Sequence, residues 1–281
     1  MPASLDRIVA AARRSIARDR SAADMHELGR KAEAYVPRGF QRALQTASKK
    51  GIAVIAELKK ASPSRGVIRA EFDPEKLARE LETAGAAALS VLTDAEFFQG
   101  SLENLRRASD TVRLPCLRKD FIVDEFQIIE ARANGADAVL LIVAALPQAE
   151  LTKLARSARQ WGMDVLCEVH DQQELTRAVD AGCDLIGVNS RDLRTFKVDL
   201  ETAVRLSEFI PKHATRVAES GIHSGVDIAR LRAAGYHAFL IGESLMAAEF
   251  PGEALRTLLA EASTEYPVPS TEWKATEQTD H

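Results

Sequence analysis

Short apolar segments alternate with amphipathic segments along most of the chain. Eight apolar runs of five or six residues lie near positions 53–58, 87–92, 115–119, 138–143, 164–168, 184–189, 215–219 and 238–242. Runs of this length, bounded by turn residues, are typical of buried strands. Helical patterns lie between them. Strict alternation of this kind predicts parallel strands joined by helical crossovers.

The boundaries of the predicted helices carry their own chemical signals. Asp73 precedes Pro74 in the pattern of a helix cap with proline at the first position. Asp124 with Gln127, and Asp171 with Glu174, have the spacing of capping boxes. Glycines mark four helix ends just before the next strand, at Gly85, Gly135, Gly182 and Gly235. These signals support the division into repeated strand–helix units.

Eight such units favour a closed (β/α)8 TIM barrel over an open doubly wound sheet. The open sheet would usually have a glycine-rich dinucleotide loop after its first strand, and residues 59–64 do not form one. We therefore predict a barrel over residues 49–262. An N-terminal helical extension, residues 1–48, precedes it, with one apolar face formed by Leu5, Ile8, Val9, Ala12 and Ile16. Residues 263–281 are predicted to be a polar tail.

Composition narrows the class of protein. The 281 residues are 46% hydrophobic and carry a formal charge of -4, which argues against a general nucleic-acid or membrane surface. Cys116, Cys167 and Cys183 have no paired spacing, so we expect small core residues in a reducing cytoplasm. The histidines are isolated, and we expect no metal. We expect no membrane span, because the chain has no run of 18 apolar residues.

Charged side chains recur at the ends of the predicted strands, where barrel enzymes place their active sites. Because strand side chains alternate, Ile55, Glu57 and Lys59 share one face of the first strand. One such pair alone is more often a structural ion pair. By the same parity, further polar side chains face one mouth: Lys119, Glu168, Asn189, Arg191 and Glu219. Three cations and three anions around one volume indicate an active site.

The last two strands add the signature of an anion site. Small residues follow them at Ser220, Gly221 and Gly242, where backbone N–H groups can approach a ligand. A short helix starting at Ser244 would direct its positive end at an anion. Glu243 would have to turn its carboxylate away from a phosphate. Loops after strands seven and eight are the recurrent phosphate site of such barrels, and glycine is also the usual residue of tight turns.

Seven motifs follow one another along the chain: Ala56–Ser64, Leu89–Thr93, Phe97–Ser101, Arg118–Ile122, Asn189–Leu193, Ala218–Ile222 and Leu240–Met246. In sequence and in order, they resemble the indole-3-glycerol phosphate synthase family. The resemblance extends from the N-terminal helix to about residue 260. It implies a cytoplasmic lyase without a cofactor or metal. This lyase would convert 1-(2-carboxyphenylamino)-1-deoxyribulose 5-phosphate to indole-3-glycerol phosphate, carbon dioxide and water. We expect no partner beyond this small phosphorylated substrate, and a monomer or weak homodimer.

The resemblance also implies roles for individual residues. Lys119 corresponds to the general acid of ring closure, with a pKa lowered by neighbouring cations, and Glu168 to its partner carboxylate. Lys59 corresponds to a carboxylate anchor or second acid, with Glu57 as its partner. The catalytic set is Glu57, Lys59, Lys119, Glu168, Asn189 and Ser220. The substrate-binding set is Ser62, Phe98, Phe121, Leu140, Arg191, Glu219, Gly221, Leu240, Gly242 and Glu243.

Within these sets, Arg191 and Glu219 are expected to position the substrate as a pair. Phe98 and Phe121 could equally be core residues, and for Leu140 and Leu240 the core is the favoured interpretation. The N-terminal helix is expected to cover part of the mouth as a lid does.

Two other functions remain compatible with these residues. A Schiff-base aldolase would also place a lysine at a strand end, with Lys119 as the nucleophile. A phospho-sugar-binding protein without activity could keep the phosphate loops. A binding protein would have no use for the combination of Lys59, Lys119 and Glu168.

Overall fold

The computed structural model describes residues 5–192, 195 and 197–265. Eight parallel strands in this part of the chain close into a barrel in which sequential strands are neighbours and the last pairs with the first. They are β1 (Ala53–Leu58), β2 (Ala88–Leu92), β3 (Cys116–Lys119), β4 (Ala138–Ile142), β5 (Asp164–Val169), β6 (Leu185–Asn189), β7 (Thr215–Glu219) and β8 (Ala238–Ile241). The predicted barrel is confirmed, and each strand boundary lies within one residue of its prediction.

Helices surround the barrel and precede it. Three form the N-terminal extension: α1 (Leu5–Ala22), α2 (Met25–Ala34) and α3 (Phe40–Lys50). The others are α4 (Pro74–Thr83), α5 (Ala95–Phe98), α6 (Leu102–Thr111), α7 (Glu125–Ala133), α8 (Gln148–Gln160), α9 (Gln172–Asp180), α10 (Glu201–Ser207), α11 (Gly225–Ala233), α12 (Glu243–Ala247) and α13 (Pro251–Glu265). A 3-10 turn, Val143–Ala145, follows β4, and a two-stranded hairpin, Ala61–Ser62 with Gly66–Val67, follows β1. Helix α13 extends into the stretch predicted as a tail, and residues 266–281 lie outside the described residues.

Two apolar layers follow from the alternation of strand side chains. Val54, Ala56 and Leu58 belong to the outer layer, between the strands and the surrounding helices. Ala53 and Ile55 belong to the inner layer, inside the barrel. Residues on this inner face that lie beyond the apolar layer, at the C-terminal ends of the strands, therefore point into the mouth of the barrel.

Helix α3 closes the opposite end of the barrel. Phe40 and Leu44 are fully buried and belong to the inner apolar layer, together with the first inward residues of the strands. The link from α2 to α3 is fastened by the buried carboxylate of Asp137, just before β4. This carboxylate accepts hydrogen bonds from Arg38 Nη2 at 2.7 Å, from the hydroxyl of Tyr35 at 3.1 Å and from the backbone N–H of Cys116 at 2.7 Å.

Most of the predicted caps are present. Asp73 caps α4 ahead of Pro74, and Asp124 with Gln127 forms a reciprocal capping box on α7. The box predicted from Asp171 and Glu174 is only half correct. Asp171 accepts the backbone N–H of Glu174, but the carboxylate of Glu174 accepts the backbone N–H of His170.

The three cysteines are buried free thiols. Two of them lie together despite their unpaired spacing, with the sulfur atoms of Cys167 and Cys183 2.6 Å apart. Within the described ranges, we find no helix with the length and apolar character needed to cross a membrane.

Candidate active site

The mouth of the barrel brings together the charged residues predicted from strand parity. Glu57 and Lys59 at the end of β1 form an ion pair, with Nζ of Lys59 2.6 Å from Oε1 of Glu57. Ser90 on β2 places its hydroxyl 3.4 Å from the other oxygen of Glu57. Burial alone raises the pKa of Glu57, but Lys59 and Lys119 outweigh it, so the pKa is lowered. Glu57 is therefore a buried, ionised carboxylate.

Lys119 lies at the centre of the site, between two carboxylates from other strands. Its Nζ is 3.3 Å from Oε2 of Glu168 and 3.8 Å from Oε2 of Glu219. Burial alone would lower the pKa of Lys119, but Glu168, Glu219 and Glu57 outweigh it and raise the pKa. The prediction that neighbouring cations lower this pKa is wrong, because anions dominate the immediate surroundings. Lys119 is therefore an ammonium at neutral pH.

The two carboxylates beside Lys119 differ in protonation. Burial raises the pKa of Glu168, but Lys119, His170 and the Asn189 amide outweigh it and lower the pKa. Burial and the neighbouring charge of Glu168 raise the pKa of Glu219 to about 8, against the opposing effect of Lys119. The pKa values of Glu219 and Glu168 thus shift in opposite directions, although both carboxyl groups contact the same ammonium.

An open cleft of about 990 Å³ lies above these charges. Phe98 and Phe121 form part of one wall, with ring centroids 6.4 Å apart. Leu140 and Leu240 line the cleft although both belong to the inner apolar layer, so each is at once a core and a lining residue. Further lining residues come from the predicted set and from α1: Ser62, Asn189, Arg191, Ser220, Glu243, Leu5 and Ile8. The first turn of α1 therefore borders the mouth.

A narrower recess of about 430 Å³ continues from the cleft between the loops after β7 and β8. Ser220 and Gly221 are consecutive residues with positive φ, 66° and 78°, and Gly221 and Gly242 line this recess. Helix α12 begins at Glu243, one residue earlier than predicted. The carboxylate of Glu243 contacts Nε of Arg65 at 2.7 Å and Nη2 of Arg191 at 3.4 Å. The structure thus places Arg191 beside Glu243, whereas Glu219 faces Lys119.

Some residues that shape the site were missed from the sequence. Arg118 is buried behind Lys119 and contacts Asp120 and Glu130, at 2.9 and 3.1 Å. This network holds the end of β3, from which Lys119 and Phe121 extend. His170 was also not predicted, and its Nε2 lies 3.4 Å from Oε1 of Glu168. The sequence could have indicated His170, because it follows Glu168 by two residues, just as Lys59 follows Glu57, and residues two apart on a strand share one face.

A closed eight-stranded barrel with a charged, ligand-sized cleft at the C-terminal ends of its strands defines a TIM-barrel enzyme. The family model described as indole-3-glycerol phosphate synthase matches residues 5–258. The chain is also 61% identical over 259 residues to the indole-3-glycerol phosphate synthase of Koribacter versatilis (strain Ellin345). This match covers 92% of this chain and 100% of the relative. The chain belongs to the indole-3-glycerol phosphate synthase family, and so to the carboxy-lyases of tryptophan biosynthesis.

Solved structures of lower sequence identity share the fold. The 3-hexulose-6-phosphate synthase of Salmonella typhimurium superposes with a TM-score of 0.61 at 12% identity, covering 76% of this chain and 100% of that one. A thiamine phosphate pyrophosphorylase from Pyrococcus furiosus gives a TM-score of 0.59 at 18% identity, covering 79% of this chain and 99% of that one. At these identities, the similarity supports the barrel fold alone.

Proposed function

We propose that the chain cyclises, decarboxylates and dehydrates 1-(2-carboxyphenylamino)-1-deoxyribulose 5-phosphate to indole-3-glycerol phosphate, by general acid–base catalysis from lysine and glutamate side chains. The observation that carries this proposal is the ammonium of Lys119, held between Glu168 and Glu219 at the base of a cleft with an aromatic wall. This arrangement offers an acid, a base and an apolar surface within one site.

The cleft matches the substrate part by part. The benzoate ring lies against Phe98 and Phe121, above Leu140 and Leu240. The phosphate lies in the recess of Ser220, Gly221 and Gly242, whose small side chains leave the backbone accessible. Glu243 lines both the cleft and this recess, and Ser62 lines the cleft. Because Arg65 and Arg191 contact the carboxylate of Glu243, that carboxylate is compensated and repels a phosphate less.

Ring closure is assigned to Lys119. As a ring carbon of the substrate attacks the ribulose carbonyl carbon, the Lys119 ammonium donates a proton to the carbonyl oxygen. The raised pKa keeps Lys119 protonated at neutral pH, so a proton is present at Nζ when charge develops on that oxygen. Glu168 stabilises the positive charge that develops on the arylamine nitrogen. The carboxylate then leaves as carbon dioxide, and its bonding electrons restore the aromatic ring.

Dehydration is assigned to the pair on β1. Lys59 donates a proton to the departing hydroxyl group, and Glu57, 2.6 Å from its Nζ, holds the ammonium in place. Glu168 accepts the proton lost from the former C1 carbon of the ribulose chain, which is bonded to the arylamine nitrogen, as the double bond of the indole forms. Asn189 orients the substrate beside Glu168, and Arg191 and Glu219 position it from the neighbouring strands.

The Schiff-base aldolase is disfavoured by the charge on Lys119. A lysine nucleophile must be neutral to attack a carbonyl carbon. The carboxylates around Lys119 raise its pKa and so keep the amine protonated.

The test is indole fluorescence after mixing the protein with the carboxyphenylamino-deoxyribulose phosphate. We expect indole-3-glycerol phosphate from the wild type. Lys119→Met, which keeps most of the side-chain length, should lose at least about 100-fold in kcat while still binding the substrate, because the acid is removed. Lys153→Met is the matched control, since this exposed lysine lies on α8 and pairs with Glu125; its kcat should be unchanged.

Other outcomes identify the alternatives. Absence of product from folded wild type, with the substrate still bound, would support a phospho-sugar-binding protein. Covalent attachment of substrate to Lys119 on borohydride reduction would support the aldolase. A Lys119→Met variant with wild-type kcat would leave the lyase in place but remove Lys119 as its acid.

A further inference from the structure

His170 is the first residue after β5 and shares the inward face with Glu168. Its Nε2 is buried and meets no hydrogen-bond criterion with any described residue, and Oε1 of Glu168 lies 3.4 Å away. A buried imidazole nitrogen without a close acceptor is costly unless a charge compensates it. The nearby carboxylate oxygen of Glu168 supplies that charge.

Glu174, in the first turn of α9, holds the ring from the other side. Its Oε2 lies 2.9 Å from Nδ1 of His170 and accepts the backbone N–H of the same residue at 2.8 Å. Two contacts to one carboxylate oxygen define both the position of His170 and the direction of its ring. This contact is why the predicted capping box on α9 is incomplete.

His170 therefore lies between two carboxylates, Glu168 of β5 and Glu174 of α9. Burial alone would lower the pKa of His170, but these two groups outweigh it and raise the pKa to about 10. Glu168 is in turn contacted on both oxygens, by Lys119 on Oε2 and by His170 on Oε1. Ring and carboxylate thus stabilise each other's charged form.

We propose that His170, held by Glu174, is a positioning residue that stays protonated and fixes Glu168 opposite Lys119 for the acid–base steps. This inference rests on the proposed function, because His170 matters for catalysis only if Glu168 takes part in that reaction. His170 is not among the residues that line the described cleft, so it acts on the reaction through Glu168. The side chain of Glu174 is 16% exposed and links this buried arrangement to the surface.

Kinetics of two variants test the role. His170→Ala should lower kcat about tenfold, the size typical of losing a partner that orients a functional group, with KM within twofold of the wild type. His170→Gln, which keeps an N–H donor near the position of Nε2 but no charge, should recover part of the loss. The control is His213→Gln, an exposed histidine before β7 at the opposite end of the barrel, which should keep wild-type kcat.

The charge itself is tested without turnover. Side-chain ¹⁵N NMR at pH 8 should show the His170 ring with both nitrogens protonated, as a signal that is missing from His170→Gln. Glu174→Gln should lower the pKa of this ring, because one of its two carboxylates is lost.

The outcomes separate this inference from the proposed function. If the wild type forms product but the His170 ring is neutral at pH 8, or if His170→Ala keeps kcat within twofold, the positioning role is overturned and the lyase stands. A loss of folded protein in His170→Ala with unchanged kcat per folded molecule would also overturn it. If the wild type forms no product, the proposed function is contradicted, and the positioning role is contradicted with it regardless of the NMR result.

Discussion

Two carboxylates of the site occupy space that is left free by glycines in the neighbouring strand or loop. A Cβ on Gly242 would lie 2.5 Å from Oε1 of Glu57, and a Cβ on Gly187 would collide with Oε1 of Glu219. Neither glycine has a positive φ. Each glycine is therefore needed for the absence of a side chain and not for its backbone conformation. It leaves room for a carboxylate that extends from the adjacent strand.

The titration of Glu219 should make the free energy of unfolding depend on pH. Its pKa is raised to about 8 in the folded protein, mainly by burial and by Glu168, from an ordinary value of 4.5. At pH values between 4.5 and about 8, Glu219 holds a proton in the folded state that it has lost in the unfolded state. The free energy of unfolding therefore falls as pH rises through this window.

Glu219→Gln cannot titrate and should lack that fall. We expect the free energy of unfolding of the variant, relative to the wild type, to rise by a few kcal/mol from pH 5 to pH 8. Urea unfolding at several pH values measures this difference. Other titrating groups, His170 among them, contribute to both proteins and cancel. Parallel curves for variant and wild type would show that Glu219 is ionised in the folded state at neutral pH.

Among the structural elements, the link between α2 and α3 is held to the barrel by the buried carboxylate of Asp137. Asp137 has no exposed surface and accepts the backbone N–H of Arg38 at 2.6 Å in addition to its guanidinium. Arg38 further donates to the carbonyl oxygens of Ser109, in the last turn of α6, and of Val112, just after that helix. Because the fully buried carboxylate of Asp137 compensates the partly buried guanidinium of Arg38, neither charge can be removed without leaving the other unpaired.

Asp137→Asn should therefore destabilise the protein by about 3–5 kcal/mol, since the amide keeps the volume but leaves the Arg38 guanidinium without its counter-charge. Chemical unfolding at pH 7 measures this. Asp110→Asn is the control, because its pair with Arg106 is exposed and should contribute less than about 1 kcal/mol. Equal stabilities of the two variants would contradict a structural role for the buried pair.

For the whole molecule, the extension and the barrel share one core. Phe40 and Leu44 of α3 pack with the inward residues of the strands, and Ala32 of α2 is fully buried. Helix α1 buries only Ile8, Ala11 and Ile16, and its pairs with the barrel, such as Arg13 with Glu150, are exposed. The extension thus combines a helix that is integral to the barrel with one that is more weakly attached.

Hydrogen exchange should reveal this gradient. Amides of α3 should exchange with the same free energy as those of β1, because opening α3 exposes the inner core. Amides of α1 should exchange faster, through local opening that leaves the barrel intact. Mass spectrometry of peptides from the intact protein measures both. Exchange from α3 as fast as from α1 would contradict the view that α3 is part of the barrel core.

The sequence by itself determined the barrel and most of its mouth. Apolar runs separated by capped helices are local patterns, and parallel strands require crossovers, so the topology followed from them. Strand parity placed Glu57, Lys119 and Glu168 on the inward face because side chains alternate regardless of what surrounds them. The motifs also indicated the family, which the comparisons confirmed.

The tertiary structure alone decided the electrostatics of the site. The sequence shows three cations near the mouth, but only the folded barrel shows that Lys119 has carboxylates as its closest charged neighbours, so that its pKa moves up rather than down. The same holds for His170, whose two carboxylate neighbours come from different elements. Distances between side chains on separate strands depend on closure of the barrel, and Coulomb interactions depend on those distances and on burial.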